Sequence, residues 1–131
     1  MISLNLKTFS VVLLLIAAVF VLAACASDAP EGAVTGYFEA LVSGDETTAR
    51  NLSCAEWESV AQTRITQFAS LDARLEGASC SAAGTLDDGG TRVTCEGDIV
   101  ITYGTEDQSL PLGNYKVVQE GGSWRMCGET E

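Results

Sequence analysis

The amino-acid sequence predicts an α+β fold: three helices, then a four-stranded antiparallel meander, with the helices packed on one sheet face. Three observations carry that expectation. Apolar residues recur with a period near 3.6 between Val34 and Leu75, the period drops to 2 beyond Ala78, and glycine-containing turns separate the period-2 runs. An apolar leader ending in a cysteine precedes these elements.

Residues 1–24 form the leader. Lys7 is its only basic residue, and the apolar run from Phe9 to Leu22 has the length of a signal-peptide core. A membrane span needs about 20 apolar residues, so the run is short for one. Leu22-Ala23-Ala24-Cys25 closes it. This small-small-Cys step resembles the lipobox at which bacterial lipoprotein signal peptides are cut. The resemblance implies a diacylglycerol on the Cys25 sulfur and a further acyl chain on its amine. Residues 25–29 then form the lipidated cysteine and a short tether, and residues 30–131 a single α+β domain held close to the bilayer.

Within that domain, Asp28 and Glu31 have the capping-box spacing, with Pro30 in the first turn. Val34, Tyr37, Phe38, Leu41 and Val42 form the apolar stripe of the first helix, and Gly44 stops it. Asp45 caps a short second helix through about Leu52. Ser53 and Glu56 repeat the capping box for a third helix. Its stripe is Trp57, Val60, Ala61, Ile65, Phe68, Leu71 and Leu75, and Gly77 ends it. Ser79 to Leu86 and Thr91 to Tyr103 then read as strands joined by the Asp87-Asp88-Gly89-Gly90 hairpin turn. In the second of these, Val93, Cys95, Gly97, Ile99 and Ile101 alternate with polar residues, apart from Val100. A turn over Gly104 to Asp107 leads to a strand from about Leu110 to Gln119, with Pro111 at its start or on an edge. Glu120-Gly121-Gly122 turns the chain into the last strand, Ser123 to Cys127.

Charge and cysteine content narrow the function classes. The 131-residue chain has a formal net charge of −11. Lys7 leaves with the leader, so the mature chain carries a charge of −12 on 107 residues. Such a chain repels phosphates and anionic headgroups, which excludes nucleic acid and a basic membrane patch as modes of binding. Membrane contact falls to the lipid anchor. The sequence contains no histidine, so Ser-His-Asp and Cys-His catalysis are excluded, and the cysteine spacings lack the close pairs of a zinc site. No metal or cofactor is expected.

Four cysteines follow Cys25, an even number that reads as two disulfides in an exported domain. Pairing around the Asp87-Asp88 turn sets Cys80 opposite Cys95, and a register slip of one or two residues would keep them the natural cross-strand pair. Cys54 with Cys127 is then the second bridge, because the last strand begins at the end of the sheet where the third helix starts. Trp124 and Met126 read as the buried face, however, which points Cys127 away unless a bulge intervenes. Each bridge is worth roughly 2–4 kcal/mol.

The phrase Ala33-Val34-Thr35-Gly36-Tyr37-Phe38-Glu39-Ala40-Leu41-Val42-Ser43-Gly44-Asp45 resembles the first helix of nuclear-transport-factor-two-like and ketosteroid-isomerase-like domains. Gly121-Gly122-Ser123-Trp124-Arg125-Met126-Cys127 is similar to the last strand of small envelope lipoproteins in that superfamily. The resemblance implies a cystatin-like roll, a curved sheet whose concave face and helices enclose a pocket. Residues placed to line it are Tyr37, Phe38, Trp57, Tyr103, Tyr115 and Trp124. Isomerase chemistry would need a carboxylate base and a proton donor there. Tyr37 sits where a resembling donor would, yet it also belongs to the apolar stripe, and Glu96 and Asp98 fall on the wet face.

The expected function is therefore a lipid-anchored, extracytoplasmic envelope lipoprotein without catalytic activity, offering a small apolar ligand or an envelope protein a pocket or a face. The alternative is a pocket enzyme of isomerase or hydratase type that uses Tyr37. Two or three acyl chains anchor stably where one gives only marginal binding. The wild-type protein should accordingly incorporate labelled fatty acid and partition into detergent. Cys25→Ala should lose the label and be either released or retained as uncleaved precursor; a labelled variant that migrates as wild type would refute the lipobox.

Overall fold

The computed structural model describes residues 29–131, so the leader, Cys25 and the capping residue Asp28 lie outside it. Helix α1 is Pro30–Ser43, α2 is Glu46–Asn51 and α3 is Glu58–Phe68; the strands are β1 Asp72–Thr85, β2 Thr91–Tyr103, β3 Glu106–Pro111, β4 Asn114–Glu120 and β5 Ser123–Thr130. The α+β class expected from the sequence is the one observed, with five strands in place of four.

Helix α1 starts with Pro30 in its first turn, but its N-cap is Ala29, which makes no side-chain capping bond. Its stripe behaves as expected: Val34, Tyr37, Phe38 and Leu41 are buried. Gly44 takes the left-handed conformation that ends a helix most cheaply. Asp45 then caps α2, its carboxylate accepting from the Thr48 amide at 3.1 Å.

The third helix departs most from expectation. It runs eleven residues, with Trp57 as its N-cap, and the capping box of Ser53 and Glu56 does not form. Ser53 is buried instead and donates to the Ala49 carbonyl at 2.8 Å. At the other end, Leu71 falls in the bend between α3 and β1, its amide donating to the Phe68 carbonyl, and Leu75 lies within β1. A spacing of four residues is close to one helical turn and is also two strand repeats, so this pair fits either period. Ala73 between them decides it: Ala73 and Leu75 are half-buried while Asp72, Arg74 and Glu76 are exposed. Pairing of Asp72 with Thr102 through Glu76 with Asp98 claims this segment for the sheet.

Gly77, expected to stop the helix, is a bulge residue. Gly77 and Ala78 on β1 face the single residue Gly97 on β2. A Cβ on Gly97 would lie 2.6 Å from the Gly77 carbonyl carbon, and Gly97 has φ +99°, so only glycine fits. A second β1 bulge sits between Ala82 and Thr85. Between the two, Cys80 faces Cys95 in the expected register.

The strand expected from Leu110 to Gln119 begins earlier and is broken at Leu112-Gly113. Glu106 and Asp107 do not belong to the turn, which shrinks to Gly104-Thr105; they pair with Tyr103 and Thr102. Asp107 accepts from Thr102 Oγ1 at 2.7 Å and from Arg74 Nη2 at 2.9 Å. Pro111 ends β3. Strands β3 and β4 share one edge of β2, β3 along Asp98–Tyr103 and β4 along Thr91–Thr94. All neighbouring strands are antiparallel, in the order β1-β2-β4-β5 with β3 beside β2.

Strand β5 continues past Cys127 to Thr130. Opposite Lys116 it carries two residues, Cys127 and Gly128, where one would complete the ladder. That bulge resolves the facing conflict: Met126 is fully buried, and Cys127 still reaches Cys54, with Cα atoms 5.3 Å apart. The second bridge joins Cys80 and Cys95, Cα atoms 4.1 Å apart.

The two bridges close chain segments of 73 and 15 residues. Loop entropy then predicts costs of about 4 kcal/mol for Cys54→Ala with Cys127→Ala and about 3 kcal/mol for Cys80→Ala with Cys95→Ala. Urea unfolding of the two double variants measures this; the reverse order would show that the short bridge, not the long one, dominates.

Candidate functional site

Where α1, the head of α3 and the end of β5 meet, the apolar core gives way to polar atoms. Tyr37 is fully buried, its ring edge-on to Phe38 at 5.3 Å; Phe38 meets Tyr115 edge-on at 5.0 Å. These three aromatics fill the interior between helix and sheet. Tyr115 Oη accepts from the Gly113 amide at 3.2 Å. Tyr37 Oη and Trp57 Nε1, both buried, make no hydrogen bond of ordinary geometry, the indole N–H being their one mutual contact as a weak donor to the phenol oxygen.

An ion pair covers this edge of the core. Arg64 of α3 donates through Nη2 to Glu129 Oε1 of β5 at 2.6 Å, and its guanidinium carbon lies 5.5 Å from the Trp57 ring centroid. Gly128 lies under the indole: a Cβ there would stand 3.6 Å from Trp57 Cε3 and Cζ3. Beside it, a cleft of about 270 Å³ is lined in part by Tyr115, Asn114 and Glu129.

The electrostatics keep both phenols protonated. Burial pushes the Tyr37 hydroxyl above the ordinary tyrosine range, the Trp57 indole and the Arg64 charge partly offset this, and the Glu129 charge adds to it. Burial likewise raises Tyr115, eased by the Gly113 amide. An indole N–H can only donate and a protonated phenol retains its O–H. With the indole N–H directed at the phenol oxygen, the free donor of the site is the Tyr37 O–H, an arrangement suited to a single acceptor oxygen.

Of the six aromatics expected to line a pocket, Tyr37, Phe38 and Tyr115 pack together, and Trp57 joins them at the edge. Trp124 packs half-buried against the core at the other end of β5. Tyr103 is 52% exposed at the end of β2 and joins none of them. Arg64 and Glu129 are the site residues that sequence reasoning missed. No motif marks them, and Glu129 lies beyond the expected end of the last strand. Among the described residues no group of three or more Cys, Asp or Glu side chains is placed to hold a metal ion, and no helix is long and apolar enough to cross a membrane. No known family, curated protein or solved structure matches this chain.

An unsatisfied buried hydroxyl costs about 1–3 kcal/mol that an apolar group of the same shape does not. Tyr37→Phe should therefore stabilise the protein by about 1 kcal/mol, raising Tm by several degrees. A lower Tm in a thermal scan would mean the hydroxyl has a partner in solution.

Proposed function

We propose that this protein is a lipid-anchored extracytoplasmic binding lipoprotein that performs no catalysis. The observation that carries the proposal is the cysteine arrangement. Cys54, Cys80, Cys95 and Cys127 bond among themselves, which suits an oxidising compartment and leaves Cys25 as the one cysteine outside the disulfide set. The resemblance of the leader to a lipobox assigns that cysteine the lipid.

We further propose that the α+β layers are the cystatin-like roll of nuclear-transport-factor-two-like domains. Three helices ahead of the sheet, the Gly44-Asp45 step between α1 and α2, and a sheet interrupted by bulges support that reading. The ligand site is the Tyr37–Trp57 edge, since aromatic side chains occupy the interior. It suits a small apolar molecule that carries one acceptor oxygen. Isomerase chemistry would need a free carboxylate beside Tyr37. The acid whose charge reaches Tyr37 is Glu129, and it is held by Arg64, an arrangement that favours binding over proton abstraction.

Native mass spectrometry of the full-length protein purified with envelope lipid and metabolite extract tests the ligand. A bound species is expected on the wild type, at least tenfold depleted on Trp57→Phe. Retention of the same species by Trp57→Phe, or an empty wild type together with no reproducible protein partner in a pull-down from solubilised envelope, overturns the proposal.

A further inference from the structure

Arg92 is out of place. It lies on β2 between Thr91 and the fully buried Val93, so it faces away from the core, directly opposite Lys116 of β4. Two like charges on facing strands destabilise a sheet, in a chain that has few cations to spend. Lys116 is neutralised by Asp88 at 2.5 Å. Arg92 is not neutralised. Its Nε is buried with no partner. Every other basic side chain among the described residues has one: Arg50 pairs with Glu46, Arg64 with Glu129, Arg74 with Glu76 and Asp107, and Arg125 donates to the carbonyls of Asn51 and Glu120.

Arg92 and Lys116 line an open concavity of about 470 Å³, within the usual size of small-molecule sites. Four carboxylates share it: Asp87, Asp88, Glu129 and Glu131. Asp88 is committed to Lys116 and Glu129 to Arg64, so Asp87 and Glu131 remain without an ion-pair partner, as does Arg92. The concavity thus holds an unpaired guanidinium and unpaired carboxylates together. A simple anion would be repelled by its net negative lining and by the charge of the whole chain. A simple cation would be repelled by Arg92 and leave its guanidinium without a counter-ion. A small zwitterion escapes both penalties.

We propose that this concavity binds a small zwitterion of the α-amino acid class, its carboxylate on Arg92 and its ammonium group on Asp87 and Glu131. A guanidinium fork matches a carboxylate in two parallel hydrogen bonds, which the Lys116 ammonium cannot do. Glu129 borders both places, but Arg92, Asp87 and Glu131 take no part in the Tyr37 edge, so the proposal stands or falls independently of the function proposed above.

Three probes separate the charge patterns: alanine, with both charges; N-acetylalanine, with the carboxylate alone; and alaninamide, with the ammonium alone. Titration calorimetry on the full-length protein in detergent, with amide chemical shifts mapped to β2 and β4, should show alanine binding at least tenfold tighter than either single-charge probe. Arg92→Gln and Asp87→Asn should each weaken alanine by about tenfold or more, the loss of one charge-assisted contact. Equal or tighter binding of N-acetylalanine would make this a plain anion site, and equal binding of alaninamide a cation site; either overturns the proposal. So does the absence of any alanine-dependent shift at millimolar concentration, or an Asp87→Asn variant that binds alanine as the wild type does.

Discussion

The chain between α2 and α3 exchanges backbone hydrogen bonds with the middle of β5, and the rest of the molecule is arranged around that contact. The Cys54 amide donates to the Met126 carbonyl at 2.9 Å, and the Met126 amide donates to the Leu52 carbonyl at 2.6 Å. Ser53 and Met126 form a parallel bridge between them. The Cys54–Cys127 disulfide fastens the same spot covalently. Elsewhere the helical layer and the sheet meet through side chains, by packing and by contacts such as Arg64–Glu129 and Arg125 to the Asn51 carbonyl, which fix distance more than register. Here the backbone itself sets register. It places Met126 in the core, puts Trp57 at the head of α3 over Gly128, and brings Arg64 within reach of Glu129.

The sheet accommodates this through bulges. The long hairpin of β1 and β2 has two, and β5 has one at Cys127-Gly128. Each extra residue bends its strand and raises the local twist. The Gly77–Gly97 approach is too close for any side chain on β2. The β5 bulge also shapes the candidate site, since it lets Met126 face inward, Cys127 reach Cys54, and Glu129 reach Arg64.

Polar groups left over by this packing are concentrated rather than scattered. Tyr37 Oη, Trp57 Nε1 and Arg92 Nε are buried without a hydrogen bond of ordinary geometry, in a molecule whose other polar groups are largely paired. The first two lie together beneath the Arg64–Glu129 pair; the third belongs to a side chain that alternates with the buried Val93 along β2. Both places carry donors in a chain dominated by acidic side chains.

Much of the fold was legible in the residues. The α1 stripe, the Gly44-Asp45 step, the 87–90 hairpin and the full extent of β2 depend on local periodicity and turn chemistry, which neighbouring residues settle among themselves. The two disulfide partnerships followed from strand register and from which ends of the elements meet. The sequence could not decide where α3 ends, because Leu71 and Leu75 satisfy both periods, and pairing with β2 settled it. Nor could it reveal β3, whose Glu106-Asp107-Gln108-Ser109 run has no apolar face and is held by Arg74 and Thr102 from other strands. Of the candidate site, Tyr37, Phe38, Trp57 and Tyr115 were visible as apolar aromatics. Their convergence with Arg64 and Glu129, and the isolation of Arg92, belong to tertiary structure alone. A charge gains its meaning from the distance to its partner, and that distance is set by elements far apart in the chain.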